Sequence, residues 1–127
     1  MKYLLDTNTA IWALGDKAKL SNTAKEIIGN TSLSLFVSVV SAWEIAIKVS
    51  LGKLDFAGGS SAFLDKMQKN GLALLNIESA HLEIVEALPF IHRDPFDRLL
   101  VATAQAEGMT ILTADANIRK YAVPSVW

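Results

Sequence analysis

The chain has 127 residues, a length that fits one domain over residues 1–127 able to bury a substantial core. It is 51% hydrophobic with few Gly and Pro, which excludes a disordered chain; its apolar runs are too short to span a bilayer, and the absence of cysteine excludes disulfides and thiolate metal sites. With 12 Lys and Arg against 13 Asp and Glu the net charge is −1, so no overall basic field points to a polyanionic partner.

Met1-Lys2 leads into an apolar segment without a signal-peptide pattern, and the expected location is the cytoplasm. Residues 2–5 read as a short buried strand. Asp6-Thr7-Asn8 form a loop that caps a helix over residues 9–14, because short polar side chains favour that position. Gly15-Asp16 breaks the pattern, and Ser21 caps a second helix in which Ala24, Ile27 and Ile28 keep helical spacing. After a turn at Asn30-Thr31, residues 33–38 are rich in strand formers.

Ser41 and Glu44 stand three apart at the head of a helix over residues 42–51, the spacing of a capping box. Trp43, Ile47 and Leu51 give that helix an apolar stripe, Glu44 and Lys48 share another face, and Gly52 closes it. Gly58-Gly59-Ser60-Ser61 leads into a helix over residues 62–68, with Phe63 and Met67 one turn apart. Residues 72–77 read as another buried strand, and 79–88 as a helix with Leu82, Val85 and Leu88 on one side. Asp94-Pro95-Phe96-Asp97 is a strong helix start, with Asp at N-cap, Pro at N1 and Asp at N3; the helix runs to Glu107 and Gly108 ends it. A strand over 109–113, a helical piece over 117–121 and an edge strand in 123–127 complete the chain. Strands alternating with helices predict an α/β domain around a mostly parallel sheet.

Four acids lie at the edges of these apolar segments: Asp6, Glu44, Asp97 and Asp115. In a parallel sheet they gather at the carboxyl ends of the strands, where open α/β sheets place their sites. Ionised carboxylates crowd together in apolar surroundings only when a cation neutralises them, and hard oxygen ligands point to Mg2+ or Mn2+. Setting these four aside leaves nine acids against 12 basic residues, a mildly basic remainder compatible with nucleic acid.

Each acid also has a structural explanation. Asp6 suits a helix-capping turn, and Asn8 and Thr7 either orient it or cap the same helix. Glu44 completes a capping box and precedes Lys48 by four residues, an ion-pair spacing worth about 0.2–0.5 kcal/mol. Asp94 suits the N-cap, whereas Asp97, a turn into the helix, projects towards the strand ends, so the metal is assigned to Asp97. Asp115 sits in a strand-to-helix turn. Asn8, Asp94, Thr113, Lys48 and Arg98 are candidates for orienting the ligands or positioning substrate. Arg93 and Arg98 flank the acidic pair and either hold phosphate or compensate its charge. His81 and His92 read as surface or loop histidines, and Trp12 and Trp43 as core or interface residues.

In sequence order, Leu4-Leu5-Asp6-Thr7-Asn8, Ser41-Ala42-Trp43-Glu44-Ile45-Ala46-Ile47-Lys48, His92-Arg93-Asp94-Pro95-Phe96-Asp97-Arg98-Leu99-Leu100 and Ile111-Leu112-Thr113-Ala114-Asp115 resemble the motifs of the PIN-domain family, and within it the VapC-type toxins of bacterial type II toxin–antitoxin systems. Each motif alone is weak; four in register over nearly the whole chain are specific. The resemblance implies a three-layer α/β domain with a mostly parallel central sheet flanked by helices. It also implies a Mg2+- or Mn2+-dependent endoribonuclease that leaves 5′-phosphate and 3′-hydroxyl ends. The family's four acids fall on Asp6, Glu44, Asp97 and Asp115; Asn8 departs from the residue common in close relatives. A small antitoxin whose carboxyl-terminal segment covers the acidic groove, and a homodimer, are the implied partners. Two rivals stand beside this reading: a phosphatase or phosphotransfer domain using Asp6 as nucleophile, which lacks an Asp at position eight, and a non-catalytic module with an acidic pocket.

Overall fold

The computed structural model describes residues 1–127. Five strands form one sheet in the order β3-β2-β1-β4-β5: β1 (Lys2–Leu5), β2 (Ser34–Ser38), β3 (Ala73–Leu75), β4 (Thr110–Leu112) and β5 (Ser125–Val126). Every pairing is parallel. Parallel strands need crossovers, and six helices supply most of them: α1 (Thr7–Leu14), α2 (Asn22–Gly29), α3 (Val39–Ser50), α4 (Gly59–Lys69), α5 (Ser79–Ala87) and α6 (Pro95–Glu107). No helix is long and apolar enough to cross a membrane.

Side chains alternate across a strand, so the buried strands β1, β2 and β4 feed two cores. Leu5, Val37 and Leu112 pack on one side with Ala10, Ile45, Phe63 and Met67 from α1, α3 and α4. Leu4 and Ile111 pack on the other with Leu100, Val101, Ala102 and Ala104 of α6. Ala102 and Ala104 are small enough to let α6 lie close to the sheet, and Gly108, with φ +64°, ends it in the left-handed conformation that suits glycine.

Register sets the site. Leu5 pairs with Val37 on one side and Leu112 on the other, so the next residues, Asp6, Ser38 and Thr113, stand at one level at the carboxyl ends of the three strands. Asp6 N–H still donates to Leu112 O at 3.3 Å, which holds β1 and β4 together to that point.

Several local expectations change. Helix α4 begins at Gly59, so Gly59, Ser60 and Ser61, read as loop, form its first turn behind the Gly58 cap. The helix after β1 begins at Thr7 rather than residue 9, with Asp6 itself as N-cap. Helix α3 begins at Val39, capped by the Ser38 side chain, so Ser41 lies inside the first turn and no Ser41–Glu44 capping box forms. The reason is that β2 ends at Ser38 and the chain turns directly into the helix. The buried face of α3 is accordingly Val40, Ser41, Ala42, Glu44 and Ile45, while Trp43 and Leu51 point outwards. Leu82 of α5 is likewise exposed, because Ile84, Val85 and Leu88 meet the core.

Candidate active site

Asp6 is 6% exposed and both of its oxygens are engaged. Oδ1 accepts the Thr9 N–H at 2.9 Å, and Oδ2 accepts the Thr113 hydroxyl at 2.5 Å. Thr113 Oγ1 in turn accepts the Asp115 N–H at 2.9 Å, so one hydroxyl links the two acids. Burial raises the Asp6 pKa above the ordinary carboxyl range and the Asp115 charge adds to it, against the bonds from Thr113 and Thr9 that favour the ion.

Asp115 lies just past β4. Its Oδ1 accepts the N–H groups of Asn117 (2.7 Å) and Ile118 (3.2 Å), which starts the short 3-10 turn Ile118–Lys120. Asp6 and Asp115 line one cavity of about 190 Å³ with Asn8, Trp12 and Ala114. A second cavity of similar volume, among Ala13, Leu20, Lys25, Ile28 and Leu72, contains no carboxylate.

Asp94 and Asp97 divide their roles at the start of α6. Asp94 Oδ1 caps the helix by accepting the Asp97 N–H at 3.0 Å. Asp97 Oδ2 meets His92 Nε2 at 3.1 Å. Burial lifts the Asp97 pKa to about 6, with the Asp94 and Asp115 charges adding to the rise and the His92 hydrogen bond opposing it. Asp115 is thus felt by both Asp6 and Asp97.

Glu44 is 7% exposed and faces Thr7 across the start of α1. Thr7 Oγ1 is 2.7 Å from Glu44 Oε1 and 2.9 Å from Ser41 Oγ. A hydroxyl has one proton and a carboxylate only accepts, so Thr7 donates to Glu44 and takes its second bond from Ser41. Thr7 therefore orients Glu44, not Asp6. On the other oxygen, Lys48 Nζ sits 2.6 Å from Oε2, the expected ion pair. The Lys48 pKa is raised, first by the Glu44 bond, then by the charges of Glu44, Asp94 and Asp97. Lys48 is the cation that the acids already have.

Several residues behave differently from their sequence reading. Arg98 is buried and donates to the carbonyls of Val85, Leu88 and Pro89 and to Tyr121 Oη, so it is not free to hold phosphate. His81 is fully buried, not at the surface; its Nδ1 accepts the Glu78 N–H and its Nε2 meets Glu107 Oε1 at 2.8 Å, tying α5 to α6. His92 is a partner of Asp97 rather than a bystander in a loop. Trp43 is 58% exposed beside Glu44, its ring edge-on to Phe96 at 5.2 Å, which excludes a core role. Sequence reasoning missed Ser41, His92 and Tyr121 as parts of the site. The His92–Asp97 spacing of five gave a local hint; Tyr121 lies 29 residues from His92 and gave none.

No three Asp, Glu or His side chains stand close enough together to form a ready-made metal-binding group. The acids share a field rather than a closed cage. Such an arrangement still suits a small hard cation that keeps several waters and takes only one or two carboxylates. The donors are all oxygen, and the two acids with raised pKa values are those that a cation would relieve.

An α/β sheet with carboxylates at the ends of its adjacent strands defines a class of acidic-site domain. The chain belongs to the PIN-domain family, whose sequence profile, described as PIN domain, matches residues 3–124. It is 27% identical over 128 residues to Ribonuclease VapC22 of Mycobacterium tuberculosis (strain ATCC 25618 / H37Rv), covering 98% of this chain and 97% of that one. Ribonuclease VapC16 of the same organism is 36% identical over 61 residues, 47% of this chain and 43% of that one. Among solved structures, VapBC2 from Rickettsia felis bound to a promoter DNA fragment superposes with TM-score 0.72 at 16% identity, covering 99% of this chain and 98% of that one. VapBC-1 from nontypeable Haemophilus influenzae gives 0.68 at 16% identity, covering 99% and 97%. These likenesses carry the fold.

Proposed function

We propose that this chain is a divalent-metal-dependent endoribonuclease and the toxin of a toxin–antitoxin pair. The observation that carries the reading is the joining of Asp6 and Asp115 in one cavity through the Thr113 hydroxyl, with Asp97 in the same field. The near-full-length likeness to a protein named as a ribonuclease supplies the substrate class.

Asp6, Asp115 and Asp97 would hold the ion, which is Mg2+ or Mn2+; when bound it activates water and neutralises charge on the phosphoryl group. Thr113 and Thr9 hold the Asp6 carboxylate in place. Glu44, oriented by Thr7, positions water at the rim, and Lys48 balances its charge until polyanionic substrate arrives. Single-stranded or looped RNA fits a small open site, because its backbone can approach without unwinding a duplex. Asn8 lines the cavity and contacts substrate there.

An uncovered acidic site on a toxin calls for a cover. The partner is a small antitoxin that places a basic side chain against these carboxylates. Homodimerisation of the toxin is what the family resemblance implies. The phosphatase alternative is less well supported: Asn stands at position eight, and Lys48 pairs with Glu44 rather than Asp6.

Induced alone in bacteria, the chain should arrest growth and create new RNA ends, and Asp6→Ala should do neither while remaining folded. Arrest by folded Asp6→Ala with intact RNA ends would favour the binding-module alternative. Trapping of an acyl phosphate on Asp6 would favour the phosphatase.

A further inference from the structure

His92, Tyr121 and Arg98 form a continuous hydrogen-bonded chain that ends on Asp97. Arg98 is buried without a carboxylate partner. Its guanidinium donates to Pro89 O (2.7 Å), Leu88 O (3.1 Å) and Val85 O (3.3 Å), and to Tyr121 Oη (3.2 Å). The Phe90 ring lies over it, 4.1 Å from Cζ to the centroid. A guanidinium only donates, so the Tyr121 oxygen must accept from it. That oxygen also takes the His92 N–H at 3.4 Å. Its single proton is left to donate, and His92 Nδ1 at 2.9 Å is a better acceptor than His92 O at 3.5 Å. An Nδ1 that accepts carries no proton, so the ring proton is on Nε2, facing Asp97 Oδ2 at 3.1 Å.

We propose that the Arg98–Tyr121–His92 chain is a positioning device for Asp97: Arg98 fixes the Tyr121 hydroxyl, Tyr121 fixes the His92 tautomer, and His92 holds one carboxylate oxygen so that the other is presented to the cation. The proposal rests on the reading of Asp97 as a metal ligand. The geometry is suited to the task, because Asp97 Oδ1 has no protein donor while Oδ2 is held. A histidine that fixes a ligating carboxylate is the kind of outer partner whose loss lowers metal affinity or activity about 10–100-fold. The chain draws on the end of α5, the loop before α6 and the turn before Tyr121, so three segments converge to orient one carboxylate. A purely structural clamp would need Arg98 and its carbonyls but not a specified tautomer at His92.

The test uses the whole purified chain with Mn2+ as probe. Nitrogen-detected NMR of the metal-free protein at alkaline pH, where imidazole is neutral, should show His92 as the Nε2–H tautomer. Tyr121→Phe, which removes one hydroxyl and leaves the ring, should convert it to a mixture. By calorimetry, His92→Ala should weaken Mn2+ binding by about 10–100-fold. His92→Gln, whose amide supplies an N–H near the Nε2 position, should recover most of that loss. An Nδ1–H tautomer, or His92→Ala binding Mn2+ as the wild type does, overturns the positioning role and leaves the metal site standing. Failure of the wild type to bind Mn2+ at all overturns both the positioning role and the metal-site reading.

Discussion

Thr113 gives its only hydroxyl proton to Asp6 Oδ2 and takes the Asp115 N–H on its own oxygen, so the two acids at the ends of β1 and β4 are set by one side chain. Thr113→Val keeps the shape and removes both bonds, leaving a buried carboxylate oxygen short of a donor. The expected cost is about 1–3 kcal/mol of stability, read by denaturant unfolding, and a loss of RNA cleavage of about 10–100-fold. Thr113→Ser retains the hydroxyl and should keep most activity. A fully active Thr113→Val variant would remove Thr113 from the account.

Asp94 and Asp97 are separable because one caps and the other faces the site. Asp94→Asn preserves an acceptor for the Asp97 N–H and should keep most activity, since Asn is as good an N-cap as Asp. Asp97→Asn removes a charged oxygen donor and should abolish cleavage. Parallel rate measurements on the two variants decide the assignment, and the opposite pattern would reverse it.

Much of this was legible in the sequence. Both ends of α6 could be placed to the residue because Asp94 and Pro95 at its start and Gly108 at its end carry unambiguous local chemistry. The acids could be placed at strand ends because apolar runs in an alternating α/β pattern leave few topologies. The contacts that orient them could not. Thr7 meets Glu44 from 37 residues away and Thr113 meets Asp6 from 107, distances at which hydroxyl partners have no periodic signature. The outward turn of Trp43 was hidden for another reason: α3 starts at Val39, so the buried stripe is set by β2 register rather than by the largest apolar residues.

Lys48 is the resident counter-charge, 2.6 Å from Glu44 and close enough to be felt by Asp94 and Asp97. Lys48→Met should lower the melting temperature of metal-free protein, because Glu44, Asp94 and Asp97 lose the ammonium that opposes their charge. The variant should then gain more than wild type from added Mg2+, since a ligand that binds the folded state stabilises it by mass action. Equal metal-induced shifts in both proteins would show that Lys48 does not share a field with the site.

The raised pKa of Asp97 sets a pH dependence with a definite sign. Its carboxyl titrates at about 6 in the fold against an ordinary value of 3.8. The folded chain therefore binds that proton more tightly than the unfolded chain does. Its contribution to stability is full below pH 3.8 and is lost as pH rises through about 6. Melting curves in chelator should accordingly show wild type losing stability relative to Asp97→Asn across that window. Parallel profiles for the two proteins would contradict the assignment of the shift to Asp97.

On the proposed reading the carboxylates act by holding a divalent cation for RNA hydrolysis. The most direct measurement is cleavage of a single-stranded RNA by the purified chain in chelator and after addition of Mn2+ or Mg2+, beside an Asp6→Asn variant that folds normally. Cleavage that is absent in chelator, restored by the ion and missing in Asp6→Asn is the predicted result. Cleavage that persists in chelator, or survives in Asp6→Asn, would contradict it.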